Sequence, residues 1–299
     1  MNILIRANSS SIIGTGHIMR CLVLAKKYKN DTITFATQDL QGNINQKILD
    51  KGYNLEILKT NSVPELDSLI KKLKIGMLII DSYDISYNFE KKIKKLNKDL
   101  KLFVLDDNYK RHFCDILLNH NIYAKEKKYK NLVPKHCKLR CGSKYTLLRD
   151  EFKKAKKETN KKDEKRVLLL MGGADSKNLN IKILKILQKY NIKVELVTTN
   201  ANKNLQNLKD FAKNKDFINL HINSNNIANL IVNSNFAITT PSVSANEIYY
   251  LKTPFIAIKI ANNQQNMYKF LKKQGFYVMK KFSKTKLKTC IEKLLKGKI

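Results

Sequence analysis

Residues 2–20 read NILIRANSSSIIGTGHIMR, and this stretch decides the fold. It opens with the apolar run 2–6, continues through small polar residues and glycines, and enters an amphipathic stretch at 18–28. Short, almost continuous apolar runs are typical of strands that are covered on both faces of a parallel sheet. A strand, a turn of small residues and a helix in this order predict the first unit of a doubly wound α/β domain.

The same alternation of apolar runs and helical stretches continues along the chain. Further strands are predicted at 32–37, 76–81, 101–106, 114–118, 166–171, 193–198, 217–221, 235–240 and 254–259. Residues 152–166 (FKKAKKETNKKDEKR) break the pattern, because they almost lack large apolar side chains after Phe152. We therefore expect two doubly wound domains, 1–151 and 167–299, joined by a linker at 152–166, with a ligand in the interdomain cleft at the strands' carboxyl ends.

Length and composition exclude several classes of protein. A chain of 299 residues suits two domains of ordinary size, and a hydrophobic fraction of 43% is enough to build real cores. No apolar run approaches the roughly 18 residues that a membrane-spanning helix needs. The first residues lack a basic segment followed by an apolar one, so we expect no secretory signal and a cytoplasmic location.

The net charge of +33 arises from 58 basic and 25 acidic residues. Such a charge is compatible with a non-catalytic nucleic-acid binder, and this alternative stays open. However, the lysines are scattered, and only six basic residues are arginine, the side chain preferred for phosphate and base contacts. We interpret the excess of lysine and asparagine as the mark of an AT-rich genome, and expect the positive field to attract an anionic small molecule instead of nucleic acid.

The five cysteines are odd in number and unevenly spaced, which favours reduced thiols over a disulfide framework. They are Cys21, Cys114, Cys137, Cys141 and Cys290. The group around His136 and Cys137 lacks the paired C-x-x-C spacing of a zinc site. We therefore expect neither a metal nor a cofactor.

The turn after the first predicted strand carries Gly14, Gly16 and His17. It does not match the dinucleotide fingerprint G-x-G-x-x-G, because position 19 is Met. His17 stands at the predicted start of a helix, where the helix dipole disfavours imidazolium and a neutral imidazole can act as a base. A partly exposed histidine near a helix cap explains the residue equally well, but the two glycines allow a ligand to approach the backbone closely.

Two turns in the second half have the same strand–turn–helix context. Gly172 and Gly173 follow a predicted strand and are compatible with a pyrophosphate cradle, although Gly-Gly turns are common. In the turn 239–247 (TTPSVSANE), Ser244 and Glu247 fit the capping box S-x-x-E. Spacing alone favours that capping box. In the alternative, Glu247 accepts hydrogen bonds from a ribose diol and the turn donates backbone N–H groups to phosphate.

Polar residues also follow other predicted strands, and all would lie at the same edge of the two sheets. They are Asp81, Tyr83, Asp106, Asp107, Asn263 and Gln264. Each is also compatible with a simple turn, so the pattern alone assigns none of them a role. The terminal segment 283–299 predicts a basic helix with an apolar side, for which packing onto the protein is favoured over contact with a membrane surface.

Six strings of the sequence, taken together and in order, closely resemble one family. They are GTGHIMRCLVLA (14–25), LIIDSYDIS (78–86), LDDNYKRHFCDILLNHN (105–121), LRCGSKYTLLRDEF (139–152), LLLMGGADSKN (168–178) and PSVSANEIYYLKTP (241–254). The family is that of the UDP-sugar hydrolases of the pseudaminic acid pathway, which are similar in fold to MurG-like GT-B glycosyltransferases. The resemblance covers residues 1 to about 280 and implies a GT-B-like α/β fold of two Rossmann-type domains.

The resemblance also implies hydrolysis of UDP-2,4-diacetamido-2,4,6-trideoxy-β-L-altropyranose to the free sugar and UDP, which supplies a nonulosonic acid for flagellin and cell surfaces. His17 matches the family's catalytic base, and Glu247 its ribose-binding acid. The other implied contacts to the UDP-sugar are Gly14, Gly16, Tyr83, Gly172, Gly173, Ser242, Ser244, Asn246, Asn263 and Gln264. Asn8 departs from the family, in which Asp is expected, so the resemblance assigns position 8 no assisting role.

The chemistry agrees with these assignments. UDP is a good leaving group, so catalysis requires a water placed behind the anomeric carbon and stabilisation of charge. His17 would take the proton of that water, with inversion at the carbon, while the helix start after Gly173 would stabilise the departing phosphates without a metal. A glycosyltransferase of the same fold, in which an acceptor hydroxyl replaces water, is the nearest alternative. Nothing in the sequence demands more than a monomer.

Overall fold

The computed structural model describes residues 1–156 and 164–297. The chain forms two compact units, Met1–Leu147 and Leu148–Ile299. Each unit contains one sheet, and all the neighbouring strands within each sheet run parallel. Helices connect most of the successive strands, so the α/β class predicted from the alternating runs is confirmed in both units.

Unit 1 begins with the strand and helix predicted from residues 2–20. Its strands are β1 Asn2–Ala7, β2 Thr32–Thr37, β3 Asn54–Ile57, β4 Met77–Asp81, β5 Lys101–Leu105, β6 Ile116–Asn119 and β7 Lys138–Cys141. Its helices are α1 Gly16–Ala25, α2 Gln46–Leu49, α3 Val63–Lys72 and α4 Tyr87–Leu96, with 3-10 turns at Glu126–Tyr129 and Ser143–Tyr145. The sheet order is β3-β2-β1-β4-β5-β6-β7, which places the topological switch point between β1 and β4.

Side-chain alternation gives the sheet of unit 1 two buried faces. Ile3 and Ile5 of β1 share a fully buried cluster with Ile18 of α1. Leu4 of β1 points to the opposite face and packs with a second cluster that includes Ile70 of α3. Burial on both faces is the physical reason why these strands read as continuous apolar runs.

Unit 2 has the same plan. Its strands are β8 Arg166–Leu170, β9 Lys193–Thr198, β10 Ile218–Ile222, β11 Phe236–Thr239, β12 Phe255–Ile258 and β13 Tyr277–Met279. Its helices are α5 Asp150–Ala155, α6 Asn180–Leu187, α7 Leu205–Ala212, α8 Ile227–Val232, α9 Val243–Tyr250, α10 Gln265–Lys273 and α11 Lys284–Leu295, with a 3-10 turn at Asn262–Gln264. The sheet order is β10-β9-β8-β11-β12-β13, so the switch point lies between β8 and β11.

Three strands, β3, β7 and β13, lie outside the sequence predictions. All three are at an edge of their sheet. Neither β3 nor β7 contains a fully buried residue, and β13 has only three residues. An edge strand is covered less completely than an inner one, so it lacks the continuous apolar run that revealed the inner strands.

Part of the predicted linker is helical. Helix α5 includes residues 152–155, and its Phe152 and Ala155 are buried. These two buried side chains are three positions apart, so they lie on the same side of the short helix. Residues 157–163 of that linker lie outside the described residues, and the assignment of domains 1–151 and 167–299 stays a prediction.

The basic terminal segment forms α11 and packs onto unit 2. Leu287 and Ile291 are fully buried in the core of that unit, and Leu294 and Leu295 pack against it. The predicted packing of this helix is therefore confirmed. Over residues 1–156 and 164–297, no helix combines the length and the apolar character needed to cross a membrane.

Candidate active site

One strand end of unit 1 and the first turn of α1 converge on a single buried group. Asp81 is the last residue of β4, and it is 1% exposed. It continues the side-chain alternation of Ile79, which belongs to the face that α1 covers. His17 and Arg20 are three residues apart in α1, so they lie on the same side of the helix, and both contact Asp81.

The geometry of this contact determines which nitrogen of His17 is available. The Nδ1 atom of His17 lies 2.7 Å from Oδ1 of Asp81. Burial alone would raise the pKa of Asp81, but the Arg20 guanidinium and His17 hold it well below its usual range. Because the ionised carboxylate can only accept, Nδ1 carries the shared hydrogen, and in the neutral ring Nε2 is left as the acceptor. This arrangement suits a general base.

Arg20 extends the network to the next strand. Its Nε donates to Oδ2 of Asp81 at 2.6 Å, and its Nη1 donates to Oδ2 of Asp107, just beyond β5, at 3.1 Å. The Tyr83 hydroxyl donates to the same Asp107 oxygen at 2.8 Å. The Tyr83 ring meets the His17 ring edge to face, with 4.8 Å between centroids. The imidazole is thus held by a carboxylate at Nδ1 and by an aromatic ring at its side.

A cavity of about 50 Å³ opens beside His17. Its lining residues are Asn8, Ile13, His17, Asp81, Ser82, Tyr83 and Asp84. A space of this size and polarity accommodates a water molecule with several hydrogen-bond partners. The predicted residues His17 and Tyr83 therefore share one polar cavity with Asp81.

Asn8 also lines this cavity, and it belongs to a separate set of hydrogen bonds. Its Oδ1 accepts from Nη1 of Arg6 at 2.7 Å and from the backbone N–H of Gln38 at 2.9 Å. Burial lowers the pKa of Arg6 to about 10, while nearby carboxylates oppose the shift. Asn8 thus binds a buried guanidinium through a neutral amide, where the family resemblance leads us to expect a carboxylate.

The two glycines near the start of α1 occupy different local environments. Gly14 has φ of +83°, a conformation that favours glycine, and its N–H donates to the carbonyl of Ser10 at 2.8 Å. Gly16 is the first residue of α1. Both flank the segment that leads to His17, as the sequence predicts, and Gly14 closes a tight turn.

The Gly-Gly turn after β8 also has a packing explanation. Gly172 has φ of +82°, and a Cβ atom at Gly173 would lie 2.8 Å from the side chain of Thr199. Thr198 and Thr199 both donate to the Gly173 carbonyl at 3.0 Å, which ties the turn to the end of β9. The two glycines let the chain pass close to β9.

A protein carboxylate already occupies two N–H groups where the helix behind this turn begins. The carboxylate of Asp175 accepts from the N–H groups of Leu179 and Asn180, each at 2.9 Å. The expectation that this helix start faces the departing phosphates does not hold for these two donors, because a protein carboxylate occupies them. A phosphate at this helix start would therefore compete with Asp175 for these two N–H groups.

The predicted capping box at Ser244 and Glu247 is wrong. Helix α9 begins at Val243 with Ser242 at the N-cap, so Ser244 lies within the first turn, and in the described part of the chain the Ser242 side chain does not cap the helix. The Glu247 side chain is instead buried, and its Oε1 accepts from Nη2 of Arg149 at 3.3 Å. Burial raises the pKa of Glu247 to about 7, although the Arg149 guanidinium opposes the shift.

The other candidates in unit 2 lie at the same edge of the sheet. The turns after β8, β11 and β12 are neighbours because these strands are paired. Asn246 is buried beside Glu247 in α9, and Asn263 is exposed after β12. Gln264 is buried, and its Oε1 accepts from the N–H of Ile260 at 2.8 Å, so part of its role is to close the turn before α10.

The cysteines are free thiols. The Sγ atoms of Cys114 and Cys137 lie 3.7 Å apart. In the part of the chain that the structure describes, no group of three or more His, Cys, Asp or Glu side chains is arranged to hold a metal ion.

The sequence alone indicates no role for several residues of these networks. Arg20 stands in the first quoted string but looks like an ordinary helix position, and Arg149 lies 98 residues from its partner Glu247. Asp175 lies four and five residues before its partners Leu179 and Asn180, which is longer than the spacing of an N-cap residue, so spacing does not indicate this contact. His120, directly after β6, is buried with two ring nitrogens that lack a hydrogen-bond partner among the described residues.

Comparison with known proteins identifies relatives of this chain in sequence and in fold. No protein-family model matches it. Over 282 residues, which are 94% of this chain and 100% of the relative, it is 42% identical to UDP-2,4-diacetamido-2,4,6-trideoxy-β-L-altropyranose hydrolase of Campylobacter jejuni. Its fold is similar to MurG of Acinetobacter baumannii, with a TM-score of 0.66 and 10% identity over 98% of this chain and 90% of that one.

A second structural neighbour is the spinosyn rhamnosyltransferase SpnG in complex with thymidine diphosphate. The TM-score is 0.68 at 10% identity, over 99% of this chain and 92% of that one. Two doubly wound units with this likeness define an α/β protein of the GT-B class. More closely, the chain belongs to the family of the UDP-2,4-diacetamido-2,4,6-trideoxy-β-L-altropyranose hydrolases, as the six strings of its sequence imply.

Proposed function

We propose that this protein hydrolyses UDP-2,4-diacetamido-2,4,6-trideoxy-β-L-altropyranose to UDP and the free sugar, with inversion at the anomeric carbon and without a metal. The proposal rests on membership of the family and on one observation in unit 1 above all. The His17–Asp81 pair leaves Nε2 as an acceptor beside a small polar cavity. This is the arrangement that activation of a water molecule requires.

In the proposed reaction, Nε2 of His17 accepts a proton from water as the water oxygen bonds to the anomeric carbon. The bond between that carbon and the phosphate oxygen breaks, and its electron pair leaves with UDP. Asp81 stabilises the imidazolium that forms, because its carboxylate is already hydrogen-bonded to Nδ1. Arg20 and Tyr83 keep the Asp81 carboxylate and the His17 ring in place during the step.

We assign recognition of UDP to unit 2. The Glu247 carboxylate would accept hydrogen bonds from the ribose hydroxyls, and Arg149 favours the ionised form that this contact needs. The start of α9, with Ser242, Ser244 and the helix dipole, is proposed as the diphosphate site, because among the described residues the Ser242 side chain makes no capping hydrogen bond to the helix. Gly172, Gly173, Asn246, Asn263 and Gln264 are proposed as further contacts of the substrate, as are Gly14, Gly16 and Tyr83 in unit 1.

An NMR time course of the purified protein with this UDP-sugar, in the presence of a chelator, tests the proposal. We expect the wild type to release UDP and an inverted free sugar, and His17→Ala to abolish turnover. His136→Ala is the matched control, because the His136 side chain is 61% exposed. Intact substrate with the wild type would refute hydrolysis, and product formed only with an added acceptor would identify a glycosyltransferase. Turnover by folded His17→Ala would remove His17 from its proposed role.

We further propose that the protein acts in the cytoplasm as a monomer without a nucleic-acid partner. The scattered lysines support the lack of a nucleic-acid partner, since a nucleic-acid site concentrates basic residues on one surface. Sedimentation velocity tests the monomeric state, and DNA titration at low salt tests for a nucleic-acid partner. A dimer, or binding that weakens steeply as salt rises, would contradict them.

A further inference from the structure

The turn between β1 and α1 presents two isoleucines to solvent. Ile12 is 92% exposed and Ile13 is 38% exposed. Isolated exposed apolar side chains are common at protein surfaces. These two differ from each other, however, because Ile13 lines the cavity beside His17, whereas Ile12 does not.

Local hydrogen bonds fix the shape of this turn. The Ser10 hydroxyl oxygen accepts from the N–H groups of Ile12 and Ile13, at 3.2 and 2.9 Å. The Gly14 N–H donates to the Ser10 carbonyl at 2.8 Å, and the Ser11 N–H donates to the Gln41 carbonyl at 2.9 Å. The turn is closed by its own polar groups, so the position of Ile13 does not depend on burial of its side chain.

The lining of the cavity makes Ile13 distinctive. Its other lining residues are Asn8, His17, Asp81, Ser82, Tyr83 and Asp84, all of which carry polar groups. A single aliphatic side chain at the edge of a cavity that holds about one water molecule favours a ligand that lies across its opening with one apolar group next to several polar ones. A sugar with a methyl group in place of a hydroxyl has this character.

We propose that Ile13 is a specificity-determining residue that contacts a methyl group at C4 or C6 of the sugar, where common UDP-hexoses carry a hydroxyl. The inference rests on the proposed function, whose sugar bears an acetamido methyl at C4 and a methyl at C6. Burying one such methyl against an aliphatic side chain changes affinity or kcat/KM by roughly 10- to 200-fold. The rigid turn supplies this contact without ordering a loop during binding.

Ile13→Ser and Ile12→Ser form a matched pair on one turn. We expect Ile13→Ser to lower kcat/KM for the diacetamido UDP-sugar by about tenfold or more. The conservative variant Ile13→Val should retain most of the wild-type kcat/KM, and Ile12→Ser should stay within about twofold of the wild type. Inhibition by UDP should be equal in all four proteins. UDP-N-acetylglucosamine, which has hydroxyls at C4 and C6, should inhibit the wild type and Ile13→Ser equally.

Calorimetry in a His17→Ala background separates this contact from the reaction. There the Ile13→Ser substitution should raise the Kd of the diacetamido UDP-sugar by about tenfold, and Ile12→Ser should leave it unchanged, whether or not the wild type turns the compound over. Equal losses for Ile12→Ser and Ile13→Ser, no loss for Ile13→Ser, or an equal loss with UDP-N-acetylglucosamine would overturn the assignment. An intact substrate with the wild type would refute only the proposed function.

Discussion

Replacing Glu247 with glutamine tests the buried carboxylate of unit 2 through both stability and binding. Burial raises the pKa of this group from 4.5 to about 7. The unfolded chain therefore releases the proton near pH 4.5, and the folded chain releases it near pH 7. Between these values the folded state binds more protons, so the free energy of unfolding falls as pH rises. At 1.36 kcal/mol per pKa unit, the ionised carboxylate costs roughly 3 kcal/mol above pH 7.

Glutamine does not ionise, so Glu247→Gln should match the wild type near pH 5 and exceed its free energy of unfolding at pH 8 by up to about 3 kcal/mol. Arg149 keeps Glu151 as a partner at 2.8 Å, so the substitution leaves no unpaired guanidinium. If Glu247 binds the ribose, UDP affinity should fall at least tenfold at pH 8, because the amide offers one acceptor atom in place of two.

Urea unfolding at pH 5, 6, 7 and 8 measures the first effect, and calorimetry with UDP at pH 8 measures the second. Glu126→Gln, in an exposed turn of unit 1, is the control and should change neither quantity. A Glu247→Gln protein that is no more stable than the wild type at pH 8, or whose advantage is the same at pH 5, would refute the argument from burial. Unchanged UDP affinity would remove Glu247 from the proposed site.

Two further substitutions in unit 1 test other buried groups. His120→Leu should raise the free energy of unfolding at pH 7 by about 1–3 kcal/mol, because it removes two ring nitrogens without partners among the described residues. Burial lowers the pKa of His120 from 6.5 to about 3, so the wild type loses stability as pH falls through this range. Thermal unfolding at pH 4 and 7 should show a larger advantage of His120→Leu at pH 4, and a constant difference would contradict this. Asp81→Asn should lower kcat by about 100-fold or more, since an amide does not enforce the His17 tautomer. It also removes a charged partner of Arg20, so kcat is measured below the unfolding temperature seen by circular dichroism, and activity within tenfold of the wild type would exclude the proposed role of Asp81.

The inner strands were predictable because both of their faces are buried. Residues 2–6 and 166–171 show nearly uninterrupted apolar runs, and β1 and β8 are inner strands of their sheets. The edge strand β3 reads NLEI, and none of its residues is fully buried. Its sequence therefore contains no continuous apolar run. Its existence depends on pairing with β2, a long-range contact that local sequence does not encode.

The sequence predicts where the candidate site lies better than it predicts which of its side chains contact each other. Strand ends placed Asp81 and Tyr83 near the helix that carries His17, because carboxyl ends of parallel strands share one edge. His17 contacts Asp81 and not Asp106 because of the position of α1 across the sheet. The apolar periodicity of α1 does not determine that position. Spacing also favoured a cap for Glu247, since the alternative partner Arg149 comes from a distant part of the chain.

The six arginines of this lysine-rich chain gain a meaning from the contacts they make. Each has a partner suited to a flat, forked cation: Asn8 for Arg6, Asp81 for Arg20, the Tyr87 ring for Arg111, the Phe103 ring for Arg140, Glu247 for Arg149 and Glu195 for Arg166. Lysine carries the same charge without the planar fork. Among the 58 basic residues of this chain, the arginines thus stand where the planar shape of the cation matters as well as its charge, whereas the scattered lysines supply charge alone.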